Sequence, residues 1–259
     1  MEKFIRSEDD VYKLLNIGTK AGKILLASGG EIFRVEDTIE RMCRSWSGSD
    51  GVEVLAMTTS VSVTIIYKNK HYTSVIREKK PGFMLNKVVK VNNFSRNFVN
   101  KNISLDEAIE ELTKIDEIPP WPAIYKSLAS GITSSFFSVM FGGSLLDFMA
   151  AFVVGFIVAW ILSLPIKNIL PEFMYFLVSG FLSAGLAAIF MLIGFGNNID
   201  MIIIGSLMPY VPGVVITNAI RDILASDYIS GVISATKAIF IAIAIAFGVG
   251  IVLSFYFGG

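Results

Sequence analysis

One cysteine, Cys43, and one histidine, His71, are all the chain has of the two residues that most often hold zinc. A lone cysteine excludes an internal disulfide and suits a reducing compartment. There is no HExxH and no Cys/His set, so no metal site is expected. A P-loop and a GxSxG nucleophile motif are missing, and Gly29-Gly30 lack the spacing of a dinucleotide loop. Coupling by ATP hydrolysis within the chain is therefore not expected, no cofactor is expected, and nothing marks an enzyme. The formal net charge is zero and no basic tract occurs, which argues against nucleic acid as a partner. The start, MEKFIRSEDD, has no apolar signal-peptide core, so nothing visible sends the first half across a membrane.

Charge is scarce in one half only. Residues 1–126 hold 19 Lys/Arg and 17 Asp/Glu, whereas residues 127–259 hold only Lys167, Arg221 and Lys237 against Asp147, Glu172, Asp200, Asp222 and Asp227. With 53% apolar residues and a mean hydropathy of +0.63, the 259-residue chain is too apolar for one soluble domain and too charged for a purely membrane protein. The expected fold is an α-helical polytopic membrane bundle of five transmembrane helices with an N-terminal cytoplasmic α/β domain. The boundaries are 1–122 for the cytoplasmic domain and 123–259 for the transmembrane domain.

The soluble half reads as ααββαα. Ser7 precedes a helical pattern in which Val11, Leu14, Leu15, Gly18, Ala21, Gly22 and Leu25 share a side, and Gly29-Gly30 ends it. A second helix begins near Glu31 with Ile32, Val35, Ile39 and Met42 inside and Glu36, Asp37, Glu40, Arg41 and Arg44 outside. Val52–Tyr67 reads as extended, Lys68-Asn69-Lys70 as a hairpin turn, and His71–Arg77 as the returning strand. Lys79–Gly82 breaks the chain. A third helix then buries Met84, Val88, Val91 and Phe98, and a fourth, opened by the Ser104/Glu107 capping box, buries Leu105, Ala108, Ile109 and Leu112. Ile118-Pro119-Pro120-Trp121-Pro122 is a stiff linker.

Five apolar runs follow, at about 124–141, 147–164, 173–193, 201–224 and 232–257. With the N-terminal half inside, the first and third loops face out and carry Asp147 and Asp200 without Lys or Arg. Lys126, Lys167, Arg221 and Lys237 then fall on the cytoplasmic side or within reach of it. The C-terminus Phe257-Gly258-Gly259 is expected outside. Small residues such as Ser130, Gly131, Ser134, Ser135 and Ser138 allow helices to approach closely in lipid. Five is an odd, small number of spans for a carrier, which points to a second chain or a homo-oligomer.

The fourth run holds the densest candidates. Gly205–Asp222, GSLMPYVPGVVITNAIRD, places Pro209 and Pro212 close together, then Gly213, then Thr217, Asn218, Arg221 and Asp222. Broken membrane helices of this kind are where transporters often bind substrates and ions. A helix start after Pro212-Gly213 aims free N–H groups at an anion, although a simple kink gives the same sequence. Arg221-Asp222 reads either as a hydrated helix-end pair or as a carboxylate-attracting cation beside a proton-carrying acid. Asn218 and Thr217 can contact substrate or glue helices together. Asp147 reads as a solvated helix N-cap or an outward-facing proton acceptor, and Lys237 as a snorkelling side chain or a substrate contact. Glu31, Arg34, Glu36 and Asp37 either complement the dipole of the second helix or gate and contact the membrane half.

Met208–Gly231, MPYVPGVVITNAIRDILASDYISG, closely resembles the proline-glycine, asparagine, arginine-aspartate signature of the threonine/serine exporter family. Phe136–Asp147, FFSVMFGGSLLD, is similar to that family's Phe-Gly-Gly ending of the first span. Ala27–Trp46, ASGGEIFRVEDTIERMCRSW, looks like its soluble-domain signature, and the TTSVSVTI strand sits where the family has one. The resemblance covers nearly the whole chain. Single-chain members carry about ten spans, so a chain with five resembles the larger component of the split type, whose small polytopic membrane partner supplies the rest. It implies a secondary, proton-coupled exporter of threonine and serine, or of a succinate-like dicarboxylate, in the cytoplasmic membrane of a bacterial or archaeal cell. Asp222 or Asp147 would carry the proton. The rival reading is a membrane-anchored regulatory or assembly subunit that does not itself transport.

Overall fold

The computed structural model describes residues 3–78, 82–164 and 170–258. Lys167, most of the expected Lys79–Gly82 break, and Gly259 lie outside them. The chain divides into two units, Met1–Pro120 with Asn218–Ser234, and Trp121–Thr217 with Ala235–Gly259.

In the first unit, α1 (Glu8–Ala27) opens on a capping box. Ser7 accepts from the Asp10 N–H while Asp10 accepts from the Ser7 N–H. It closes where Gly29 takes a positive φ of 84° and Gly30 donates back to Leu25 O, the usual way to satisfy the last carbonyls. The α2 helix (Ile32–Arg44) buries Ile32, Val35, Ile39 and Met42. Three strands follow where two were expected. The extended run splits into β1 (Gly51–Met57) and β2 (Ser60–Tyr67), paired antiparallel across Thr58-Thr59, and β3 (Lys70–Arg77) completes a β1-β2-β3 sheet. Tyr67 pairs with Lys70, so the second turn is the two residues Lys68 and Asn69, both at positive φ as a hairpin of matched twist requires. Val61, Val63, Ile65 and Tyr67 alternate into the core with the inner faces of α1 and α2. Helices α3 (Leu85–Asn100) and α4 (Leu105–Asp116) add Val91, Phe94, Phe98, Leu105, Ala108, Leu112 and Ile115, with the Ser104/Glu107 box formed. Ile109 and Val88 are only partly buried.

In the second unit the helices are α5 (Ala123–Met140), α6 (Leu145–Ser163), α7 (Glu172–Leu192) and α8 (Ile199–Leu207), then a 3-10 turn (Met208–Tyr210). They are followed by α9 (Gly213–Leu224) and α10 (Tyr228–Gly258), whose residues Asn218–Ser234 belong to the first unit. Among the described residues, α6, α7 and α10 are long and apolar enough to cross a membrane, and the α8–α9 pair makes a fourth if counted as one broken span. That is three or four where five were expected. The difference is α5, whose five serines and Lys126 dilute its apolar content. The run 201–224, expected as one span broken at Pro209 and Pro212, is two helices bent by 52° at that break. Pro212 removes one donor and Pro209 another, so the helix there gives way.

Ser127, Ser130, Ser134 and Ser138 form one buried face of α5. Gly155 of α6 and Gly205 of α8 meet it without side chains. A Cβ on Gly205 would stand 2.5 Å from Ser134 O, and one on Gly155 would overlap the Ser134 hydroxyl. The serines are thus a surface for close helix packing, the use lipid favours when apolar burial gives no drive.

Candidate functional site

The break in the second unit is built by Pro209, which is exposed in the 3-10 turn, and Pro212, which is buried just before α9. Val211 is extended, with a ψ of 132°, and α9 begins directly after Pro212 at Gly213. A Cβ on Gly213 would meet nothing within 4 Å and Gly213 and Val214 are exposed, while the Gly213 N–H itself donates to Val211 O at 2.8 Å. The Thr217 hydroxyl folds back to Gly213 O at 2.9 Å and is spent on its own helix. Tyr210 is buried, its hydroxyl directed at Ser130 without closing a full hydrogen bond.

Asp147 is not a solvated cap. Ser144 is the N-cap of α6, and Asp147, at 1% exposure, is the third residue of its capping box. One carboxylate oxygen accepts from the Ser144 N–H and hydroxyl, each at 2.8 Å, and the other from the N–H groups of Asn197 and Asn198 at 2.7 and 2.9 Å. Four donors saturate the anion and tie α6 to the loop before α8. Sequence reasoning missed Ser144, Asn197 and Asn198, although Ser144-x-x-Asp147 carries the same box signal that marked Ser104. Lys237 on α10 pairs with Glu172, the first residue of α7, at 2.7 Å.

The first unit gathers the other candidates. Asn218 is half-buried, Arg221 exposed, and Asp222 only 2% exposed. Arg221 forms an ion pair with Glu31, which also faces Arg34 at 2.9 Å. The Asp222 carboxylate lies against the Ile32 N–H at the start of α2, with Glu31 and Asp227 as nearby like charges, and its Oδ1 has no hydrogen-bond partner among the described residues. Glu36 is not simply outside. It is half-buried and accepts from the Ala56 N–H at 2.7 Å. Burial pushes its carboxyl above the ordinary range and the Asp227 and Glu40 charges add to this, against the Ala56 N–H, which favours the anion. Despite the acidic cluster, no group of described residues could hold a metal ion.

The family model described as "Putative threonine/serine exporter" (ThrE) matches residues 16–256. The chain belongs to the ThrE family. No curated protein matches it, and no solved structure does. ThrE is a transporter family, which implies a small molecule as substrate. With three or four apolar helices, this ThrE chain is a multi-pass protein of a lipid bilayer. The match runs through both groups of site residues, from Glu31 to Lys237.

Proposed function

We propose that the chain is the larger component of a secondary, proton-coupled exporter of threonine and serine. It would act in the cytoplasmic membrane of a bacterial or archaeal cell with a small polytopic membrane protein. In this reading α5 is a fifth span, the N-terminus is cytoplasmic and the C-terminus external. The observation that carries the proposal is an α9 N-terminus that begins at the exposed Gly213, directly after the break, in a chain of this family. The N–H groups of Val214 and Val215, which a helix start leaves without partners in the helix, and the positive end of the helix dipole suit one substrate carboxylate.

Charge favours an amino acid over a succinate-like dicarboxylate. Among the described residues 127–258, both cations, Arg221 and Lys237, are already paired with carboxylates, which leaves no second positive partner there for a second carboxylate. For the coupling proton, Asp222 fits better than Asp147. A carboxylate with four donors gains nothing from a proton, whereas Asp222 is buried beside two other acids with one oxygen unpartnered.

The test is reconstitution of the chain with its small partner in vesicles under an imposed proton gradient, with radiolabelled threonine, serine and succinate compared. Threonine and serine should move in a gradient-dependent way. Movement of succinate alone would reassign the substrate. An intact complex that moves none of the three would make the chain a regulatory or assembly subunit.

A further inference from the structure

Three helix ends meet at the α9–α10 turn in the first unit. The α9 helix closes with the Asp227 N–H donating to Asp222 O and the Ser226 N–H to Ile223 O, with Ser226 at a φ of 69°. Asp227 then accepts from the Ser230 N–H at 3.2 Å and caps α10. The α2 helix has Glu31 at its N-cap position, yet the Glu31 side chain makes no cap hydrogen bond. It is committed to Arg34 and to Arg221, 190 residues away. Asp222 takes the vacant role, placing its carboxylate against the Ile32 N–H. One residue therefore ends α9 through its main chain and supports the start of α2 through its side chain, and its neighbour Arg221 holds the residue that left that place free.

We propose that Glu31 and the α2 N-terminus form a latch on the C-terminal end of α9, closed by Arg221 and Asp222, and that transport requires it to open. The inference rests on reading the chain as an exporter whose broken span moves. The first residues after the break, Gly213–Thr217, and the latch residues, Arg221 and Asp222, lie on one 12-residue helix. A shift of α9 that changes the break must pull on the latch, because α-helices are stiff between breaks. The charged groups facing the latch are Glu31, Arg34, Glu36 and Asp227. Opening it separates an ion pair and uncaps α2, so the soluble helix senses the position of α9 and biases it in return.

The experiment uses the full chain with its membrane partner in vesicles, carrying Glu31→Cys and Arg221→Cys. The native Cys43 is fully buried and its thiol is pushed up to about 12 by burial, so it does not compete for reagent. A short reductant-cleavable bifunctional thiosulfonate should join the two cysteines. Threonine flux should fall at least tenfold (about 1.4 kcal/mol in the limiting step) and return on reduction. The joining rate should also change severalfold when a proton gradient is imposed. Failure to cross-link, unchanged flux in the cross-linked protein, or a joining rate indifferent to the gradient would overturn the latch. A wild-type complex without threonine or serine flux would instead overturn the export reading, and the gradient dependence of joining would still decide the latch. Should the double variant fail to fold, Glu31→Gln serves in its place. Hydrogen exchange at the Ile32–Val35 amides should quicken severalfold, and an unchanged rate would contradict the latch.

Discussion

Among the described residues 127–258, Asp147 and Asp222 are the two buried carboxylates, and their partners separate them. In Asp147→Asn an amide N–H₂ must face main-chain N–H donors, a mismatch worth about 2–3 kcal/mol. The expected outcome is a clear fall in thermal midpoint in detergent with flux per folded molecule retained. Loss of flux at unchanged stability would restore Asp147 as a proton carrier. Glu36 provides a pH test in the first unit. Its carboxyl is raised above the ordinary 4.5, so the folded chain binds more protons there than the unfolded chain. Its contribution to stability is therefore greatest at low pH and is lost as pH climbs from 4.5 through the raised value. Glu36→Gln keeps an acceptor for the Ala56 N–H and should flatten the stability–pH slope in that window. A slope identical to wild type would contradict the assignment.

At the scale of elements, the sequence spoke most clearly where backbone chemistry is local. Pro209, Pro212 and Gly213 marked the break, and Ser104 with Glu107 marked the start of α4, because a missing donor or a capping pair acts within a few residues. The β1–β2 turn stayed hidden because Thr58-Thr59 has neither glycine nor asparagine and is β-branched like the strands beside it. The length of the 124–141 run predicts a span, and the serine face of α5 shows why its apolar content falls short. That face depends on α8 arriving without a side chain at Gly205, where a Cβ would also lie 2.8 Å from Ser138 Cβ. Gly205→Leu should force α5 and α8 apart at a cost of about 3 kcal/mol. Thermal unfolding in detergent checks this, and a wild-type midpoint would show that the helices can part without loss.

For the whole molecule, the division into a charged half and an apolar half was plain, because membranes exclude charge over long stretches. The pairing of Glu31 with Arg221 was not, since nothing in local periodicity links residues 190 apart. The two motifs could each be seen, but not that they touch. Orientation is testable by labelling. Leu145 is 76% exposed at the start of α6 and Cys43 is buried, so Leu145→Cys should react with an impermeant maleimide in intact cells. Reaction only after permeabilisation would invert the proposed topology. As proposed, this ThrE chain exports a hydroxy amino acid on proton energy through the helix carrying Asp222. The most direct measurement is threonine flux in vesicles containing the chain and its proposed small partner, wild type against Asp222→Asn, with and without an imposed proton gradient. Gradient-driven flux is expected in the wild type, with its loss in Asp222→Asn at equal membrane insertion. Equal gradient-driven flux in both proteins would contradict it.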